Sequence, residues 1–294
     1  MNFRAGINLL FLLSWSLIKA EDLTNDGNGS RPPRGQLEEI YEKAERLISS
    51  LKVELSQLRA SLKTTAETPK TKQPGNPPSC LAAMINTDGI HTIQVTGLEP
   101  FQVACDTRTA GAGWTVIQRR QDGSENFYRS WAEYRAGFGN LSAEFFMGLE
   151  PLHLLTNSEP YELYIHLEDF DGETHYAKYD RFVVGNESDS YALIGLGKYT
   201  GDAGDSLSYH VGMPFATFDN DKTRNRCALT YVGAWWYNSC QHSNLNGQYM
   251  EGGNYEKKLS GRGICWKSWR GYDYGYKLTQ MMIRPRCRAA SSAP

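Results

Sequence analysis

No segment of this 294-residue chain is both long and apolar enough to span a bilayer, because its main apolar run, Ile7 to Ile18, is short and is weakened by Asn8, Ser14 and Ser16. Positive charge is not in excess either. The 31 Lys and Arg residues stand against 33 Asp and Glu, a formal net charge of −2, so no global field draws the protein to nucleic acid or anionic lipid. The six histidines are scattered without metal-ligand spacing, and no phosphate-cradling glycine loop appears. Gly204-Asp205-Ser206 imitates a serine-nucleophile turn, but Leu207 stands where a glycine would follow, and no dedicated base accompanies it. These absences argue against an enzyme.

What is present begins with Arg4 ahead of the apolar run and Ala20 after it, which predict a cleaved secretory signal peptide over residues 1–20, with a signal anchor as the alternative. A secreted chain meets oxidising conditions. Six cysteines then imply disulfides with no obligatory free thiol, and the sequons at Asn28, Asn140 and Asn186 offer sites for glycosylation.

Residues 21–36 are polar and too poor in apolar groups to offset chain-ordering entropy, so they read as a disordered stub. From Leu37 the pattern changes. Leu37, Tyr41, Ala44, Ile48, Leu51, Leu55, Leu58 and Leu62 recur at alternating spacings of four and three with charged residues between them, predicting a coiled coil over residues 37–63 and hence a homo-oligomer. An amphipathic helix lying on its own domain is the competing reading. Residues 64–79 weigh against it, because Pro69, Pro74, Pro77 and Pro78 among Thr, Lys and Gly describe an extended linker.

From Cys80 to Cys287 the composition is that of one sizeable α+β domain, followed by a short polar tail over 288–294. Trp114–Ile117, Tyr161–Leu167 and Arg181–Val184 read as strands, while Ser130 with Glu133 three residues later marks the start of a short helix. The most informative stretch is the aromatic loop between Cys227 and Cys240, preceded by the acidic triplet Asp219-Asn220-Asp221. It suits a binding site better than a reaction centre.

Gly113-Trp-Thr-Val-Ile-Gln-Arg-Arg-Gln-Asp-Gly-Ser124, Leu167-Glu-Asp-Phe-Asp-Gly172, Gly233-Ala-Trp-Trp-Tyr237, Ser243-Asn-Leu-Asn-Gly247 and Met281-Met-Ile-Arg-Pro285 follow one another in an order that resembles the fibrinogen C-terminal domain family. Ficolins, tachylectins, angiopoietins, tenascins and microfibril-associated glycoproteins contain that domain. The resemblance implies a globe with a central antiparallel sheet and a loop-rich subdomain that carries calcium and a ligand pocket. Within it, Glu168, Asp169 and Asp171 are turn residues and not a hydrolase pair. It also implies the pairings Cys80 with Cys105 and Cys227 with Cys240, which leaves Cys265 and Cys287 for a third bridge or, alternatively, an intersubunit bond.

By the same resemblance, the carboxylates of Asp219 and Asp221 and the carbonyls of Thr223 and Asn225 are the calcium ligands, a hard-oxygen set of the kind calcium takes. The run Phe215-Ala-Thr-Phe-Asp219 is shorter than its family counterpart, and Lys222, Arg224 and Arg226 add nearby positive charge. Without the resemblance, the Asp-Asn-Asp triplet reads as a solvated turn.

Ligand-binding relatives hold the peptide bond before the second cysteine cis, which places that bond at Ser239-Cys240 and makes the amides of Cys240 and Gln241 the donors to an acetyl carbonyl. Tyr231 matches an aromatic wall. Two departures limit the transfer: Gln241 stands where sugar-binding relatives have His, with His242 one position later, and Tyr255 is not followed by their Ala. The bland alternative is that Tyr231 and Trp235–Tyr237 are core aromatics.

The resulting expectation is a secreted oligomeric lectin-like protein that recognises glycans or acetylated groups on microbial or cell surfaces through a calcium-supported pocket, with an innate immune role. The alternative is an extracellular ligand or matrix protein whose same subdomain binds a polypeptide receptor.

Overall fold

β-branched and aromatic residues alternate with polar ones through much of the region after Cys80, and such residues fit a pleated, half-buried surface. A computed structural model of the chain describes residues 42–46, 48–53 and 75–286. The segments expected over 1–36 and the tail at 288–294 lie outside the described residues, as do Asn28 and Cys287. Residues 42–46 and 48–53 are helical, within the stretch predicted to coil, and Arg46 pairs with Glu42 at 2.9 Å one turn away. Among the described residues no helix is long and apolar enough to cross a membrane.

The main unit is built on an antiparallel sheet that has nine strands among the described residues. Its spine runs through β1 (Gly89–Ile93), β2 (Phe101–Asp106), β3 (Trp114–Arg120), β13 (Leu278–Pro285), β6 (Tyr161–Glu168), β7 (Thr174–Tyr179) and β10 (Tyr199–Gly201), in that spatial order. The short β4 (Phe138–Gly139) and β5 (Phe145–Phe146) pair with each other, and β5 also pairs with β3. The last strand, β13, lies in the middle, facing β3 on one side and all of β6 on the other. Its apolar run is buried because both edges are paired and both faces are covered.

α1 (Trp131–Ala136) begins where Glu133 accepts from both the amide and the hydroxyl of Ser130, at 2.9 and 2.7 Å. α2 (Leu149–Ser158) lays Leu149, Leu152 and Leu155 on the core, spaced so that they share one face. β8 (Phe182–Val184) and β9 (Leu193–Leu196) form a separate hairpin. The Cys80–Cys105 disulfide ties the start of the domain to β2. Asp169, wholly buried, accepts from the amides of Asp171 and Glu173 and pairs with Arg270, so the acidic run at the end of β6 organises a turn.

Between β10 and β13 regular structure almost stops. There the chain has the short helix α3 (Cys227–Thr230) and the two-residue strands β11 (Ser243–Asn244) and β12 (Cys265–Trp266), joined by loops. Trp235, Trp236, Tyr237, Trp266 and Tyr276 are nevertheless no more than 1% exposed. The loops therefore wrap a second aromatic core continuous with the sheet's.

Candidate ligand pocket and calcium loop

The pocket starts from the disulfide Cys227–Cys240, which closes the aromatic loop and joins α3 to the segment after it. The Ser239-Cys240 peptide bond is cis, and Ser239 has φ of 50°. Asn238 holds this turn on two sides: its amide donates to the Cys240 carbonyl at 2.6 Å, and its side chain donates to the Tyr209 carbonyl at 2.8 Å.

Beneath the turn lies His210, fully buried at the end of a 3-10 turn, Ser208–His210, whose start is capped by Asp205. Nε2 of His210 accepts from the amides of His242 and Ser243 at 3.1 and 3.2 Å, so its proton sits on Nδ1, which donates to the Trp236 carbonyl at 2.6 Å. Burial holds the imidazole neutral by lowering its pKa to about 4. One histidine thereby fixes three backbone groups around the cis bond.

Above the turn is a cavity of about 340 Å³. Of the expected pocket residues, Tyr231, Ser239, Cys240, Gln241 and His242 line it, joined by Tyr209, Ser260, Gly261 and Tyr272. Tyr209 stacks on His242 with ring centroids 3.8 Å apart and planes 13° from parallel. The Tyr272 hydroxyl donates to the Gln241 carbonyl at 2.9 Å, while the Gln241 side chain donates to the Gly261 carbonyl at 2.6 Å. The amides of Cys240 and Gln241 take no hydrogen-bond acceptor among the described residues, leaving two adjacent donors at the cavity. Gly261 has φ of 75°, and a Cβ there would fall 2.8 Å from the side-chain Nε2 of Gln241 and 2.9 Å from the Tyr231 ring. Only glycine lets the wall close this tightly.

Tyr255 does not line the cavity. Its hydroxyl donates to the Tyr272 carbonyl at 2.6 Å and its ring packs on Gly263, so it stands behind the wall and supports Tyr272. Tyr209 and Tyr272, the two aromatic walls that the sequence reading missed, come from segments far apart in the chain.

Cys287, the expected partner of Cys265, lies outside the described residues, and Cys265 is a buried free thiol among them. β12 holds it opposite Asn244, near the Gln241 side chain at 3.9 Å, and burial pushes its pKa up to about 12. β13 meanwhile carries the chain end away from the loops, pairing Pro285 with Tyr161, a run of roughly 23 Å at the usual rise per strand residue.

In the acidic loop, Oδ1 of Asp219 accepts from the Trp131 amide and the Thr217 hydroxyl, leaving its Oδ2 without a hydrogen bond among the described residues. Asp221 accepts from the amide and hydroxyl of Thr223 and from the Ala228 amide, which secures the loop to α3. Among the described residues there is no group of three or more His, Cys, Asp or Glu suited to a metal ion. The two carboxylates and the carbonyls of Thr223 and Asn225 are hard oxygens on one short loop. That chemistry fits calcium, with water needed to reach its usual six to eight ligands.

Of the remaining expected sites, Asn140 and Asn186 are both exposed in turns, where a sugar would not disturb the core. Ser206 is fully buried and shares a 2.7 Å hydrogen bond with Ser268, a structural arrangement. A larger cavity, about 730 Å³, lies between residues 120–128 and 247–251, with Val232 also on its wall. It does not contain the paired free amides.

Fold and site together define a disulfide-bonded domain with an aromatic-lined cavity beside its loop disulfide. Residues 80–286 match the model described as "Fibrinogen beta and gamma chains, C-terminal globular domain", and the chain belongs to that family. Domains of this family are non-enzymatic binding modules of proteins that are typically extracellular. The chain is 48% identical over 207 residues to Fibrinogen C domain-containing protein 1-B of Xenopus laevis, covering 68% of this chain and 44% of that protein. It is 43% identical over 217 residues to Tenascin-R of Gallus gallus, covering 71% and 15% respectively. It thus spans less than half the length of these curated relatives. The fibrinogen-like globe domain of human ANGPTL2 superposes with a TM-score of 0.69 at 42% identity, covering 72% of this chain and 100% of that one. A lamprey fibrin D-dimer complexed with the peptide Gly-His-Arg-Pro-amide gives a TM-score of 0.67 at 30% identity, covering 98% of each chain.

Proposed function

We propose that this chain is a secreted lectin-like recognition protein whose pocket receives the acetamido group of a surface glycan. The observation that carries this reading is the pair of adjacent, unengaged amides of Cys240 and Gln241 at an aromatic-walled cavity. Two adjacent N–H donors match the lone pairs of one acetyl carbonyl, and Tyr231 and Tyr209 supply apolar contact for its methyl group. Because the donors belong to the main chain, Gln in place of His at 241 does not remove them.

Calcium is held by Asp219, Asp221 and the carbonyls of Thr223 and Asn225, and it stiffens the loop that leads into Cys227. A coiled coil over 37–63 gathers several globes, and linked sites gain about 10²–10⁴ in apparent affinity when geometry allows simultaneous engagement. Repetitive acetylated surfaces, microbial ones included, are then the targets, and the role is innate recognition.

The test is binding of the full mature chain to an array of acetylated and matched non-acetylated glycans, in calcium and then in chelator. Calcium-dependent binding confined to acetylated glycans, competed by free N-acetyl sugars and reduced at least about tenfold by Tyr231→Ala, is the expected result. A silent array from a folded oligomer sinks the reading. It would favour the second, a polypeptide receptor or matrix partner, which the buried Gln241 side chain against Gly261 supports by narrowing the pocket.

A further inference from the structure

The exposed sequons at Asn140 and Asn186 differ in what stands two residues before each. Phe138 precedes the first, whereas Val184, fully buried in β8, precedes the second. Side chains two apart along an extended strand share a face, so the ring of Phe138 lies on the side from which Asn140 projects. The chain reverses at once after β4. The Asn140 amide donates to the Glu144 carbonyl at 2.9 Å, and the Ala143 amide donates to the Asn140 carbonyl at 2.8 Å. Oδ1 of Asn140 accepts from the Ser142 amide at 2.9 Å, while Nδ2, the atom that takes a sugar, makes no hydrogen bond among the described residues.

Beside this turn lies a groove of about 220 Å³ whose wall includes Gly139 and Leu141, the two neighbours of Asn140, with Phe101, Phe138 and Phe145. No charged side chain is among its lining residues. Phe138 meets Phe127 and Tyr134 in near-perpendicular contacts, each with centroids 5.0 Å apart, and the guanidinium of Arg129 stands 4.9 Å from its ring centroid. It nevertheless stays partly exposed, as do Phe101 and Leu141.

We propose that the first N-acetylglucosamine of a glycan on Asn140 packs into this groove, with its apolar face against Phe138, Phe101 and Leu141. The occupant suits the site, because a pyranose presents polarised C–H groups to an aromatic face and carries no charge that the groove would leave unpaired. Attachment two residues from Phe138 makes the contact intramolecular, so a weak interaction suffices to fill it. The sugar then completes the β4–β5 hairpin and covers its exposed apolar surface. The inference rests on the chain being secreted, as proposed above, and is independent of the ligand pocket.

The full chain is expressed in mammalian cells with high-mannose glycans, and occupancy of each sequon is read by peptide mass spectrometry. Thermal midpoints are then measured by calorimetry for the intact protein, for protein trimmed by an endoglycosidase to a single N-acetylglucosamine, and for Asn140→Gln and Asn186→Gln. Trimming should leave the midpoint in place, Asn140→Gln should lower it by about 2–4 °C, and Asn186→Gln should lower it by less than about 1 °C. Where Asn140→Gln fails to fold, complete enzymatic removal of the glycan from folded protein carrying both Asn28→Gln and Asn186→Gln gives the same comparison. Phe138→Leu is destabilising by itself, so the quantity read there is the further drop caused by Asn140→Gln, which should shrink to less than half.

Sugar at Asn186 and none at Asn140 overturns the inference and leaves secretion standing. Sugar at no sequon counts against secretion, and the inference falls with it. A midpoint indifferent to loss of the Asn140 glycan also overturns it, and one that depends instead on protein concentration assigns the groove to a second copy of the chain. A drop that persists undiminished in Phe138→Leu overturns the placement of the sugar on this ring.

Discussion

The sheet from β1 to β10 and the loops from Ala203 to Tyr276 both bury large side chains in one continuous core, yet they are held by different bonds. In the sheet, backbone groups satisfy one another along ladders such as β13 with β6, and aliphatic side chains such as Leu163, Ile165 and Leu167 fill the space between. In the loops the ladders are two residues long, and side chains take over the task. His210 serves three backbone groups, Asn246 donates to the Ala234 carbonyl, and Trp236 donates to the Tyr191 carbonyl. Since buried backbone groups must find partners, a region without secondary structure needs polar side chains in its core as much as it needs apolar ones. Polar residues there are structural.

The sharpest way to break this comparison is to remove a large side chain from each region. Trp236→Ala should cost about 3–5 kcal/mol and Leu163→Ala about 2–5 kcal/mol, read by denaturant unfolding monitored with far-ultraviolet circular dichroism. A loss under about 1 kcal/mol for Trp236→Ala would show that the loop core is not a core.

Acid sharpens the comparison further. The pKa of His210 is lowered from its usual 6.5 to about 4, so between these values the unfolded chain binds the proton and the folded one does not. Stability from the neutral imidazole is therefore complete above about pH 6.5 and is lost as pH falls toward 4, amounting to roughly 3 kcal/mol. His210→Gln should lower stability at neutral pH and flatten that part of the pH profile. An unchanged slope would remove His210 from this role.

Asn246→Ala comes next. It strips the Ala234 carbonyl of its donor and the Gln118 amide of one acceptor, both buried, for an expected loss of about 1–3 kcal/mol in the same unfolding measurement. The smallest effect belongs to the sheet surface. Lys178 pairs with Glu162 at 2.8 Å, but Arg284 pairs with the same carboxylate, so Lys178→Ala should cost less than about 1 kcal/mol.

How much of this was legible in the sequence follows the same division. Strands β3, β6 and β8 and the start of α1 show as local patterns, because alternation and capping are properties of neighbouring residues. That β13 enters between β3 and β6 is not local, and no spacing within Leu278–Pro285 discloses it. The pocket divides likewise. Tyr231 and the stretch Ser239–His242 flank one cystine, and they were named through the family resemblance and not through any local pattern. Tyr209 and Tyr272 reach the cavity from other loops, and Tyr255, equally aromatic, stands behind the wall. His210 was invisible for the same reason: a lone histidine shows its partners only after the chain has folded. For Cys265, an even count of cysteines does not say which of them pair, and Cys287 lies outside the described residues.

That unpaired thiol also makes the molecule its own stopwatch. Cys265 is out of reach of any reagent while β12 is in place, and burial keeps it from ionising. In a Cys287→Ser background, the rate at which a thiol-specific dye labels Cys265 counts the openings of the loop half alone. Compared with the rate of global unfolding, it tells whether the ligand-bearing loops come apart separately from the sheet beneath them, and a bound ligand should slow the clock in proportion to its occupancy.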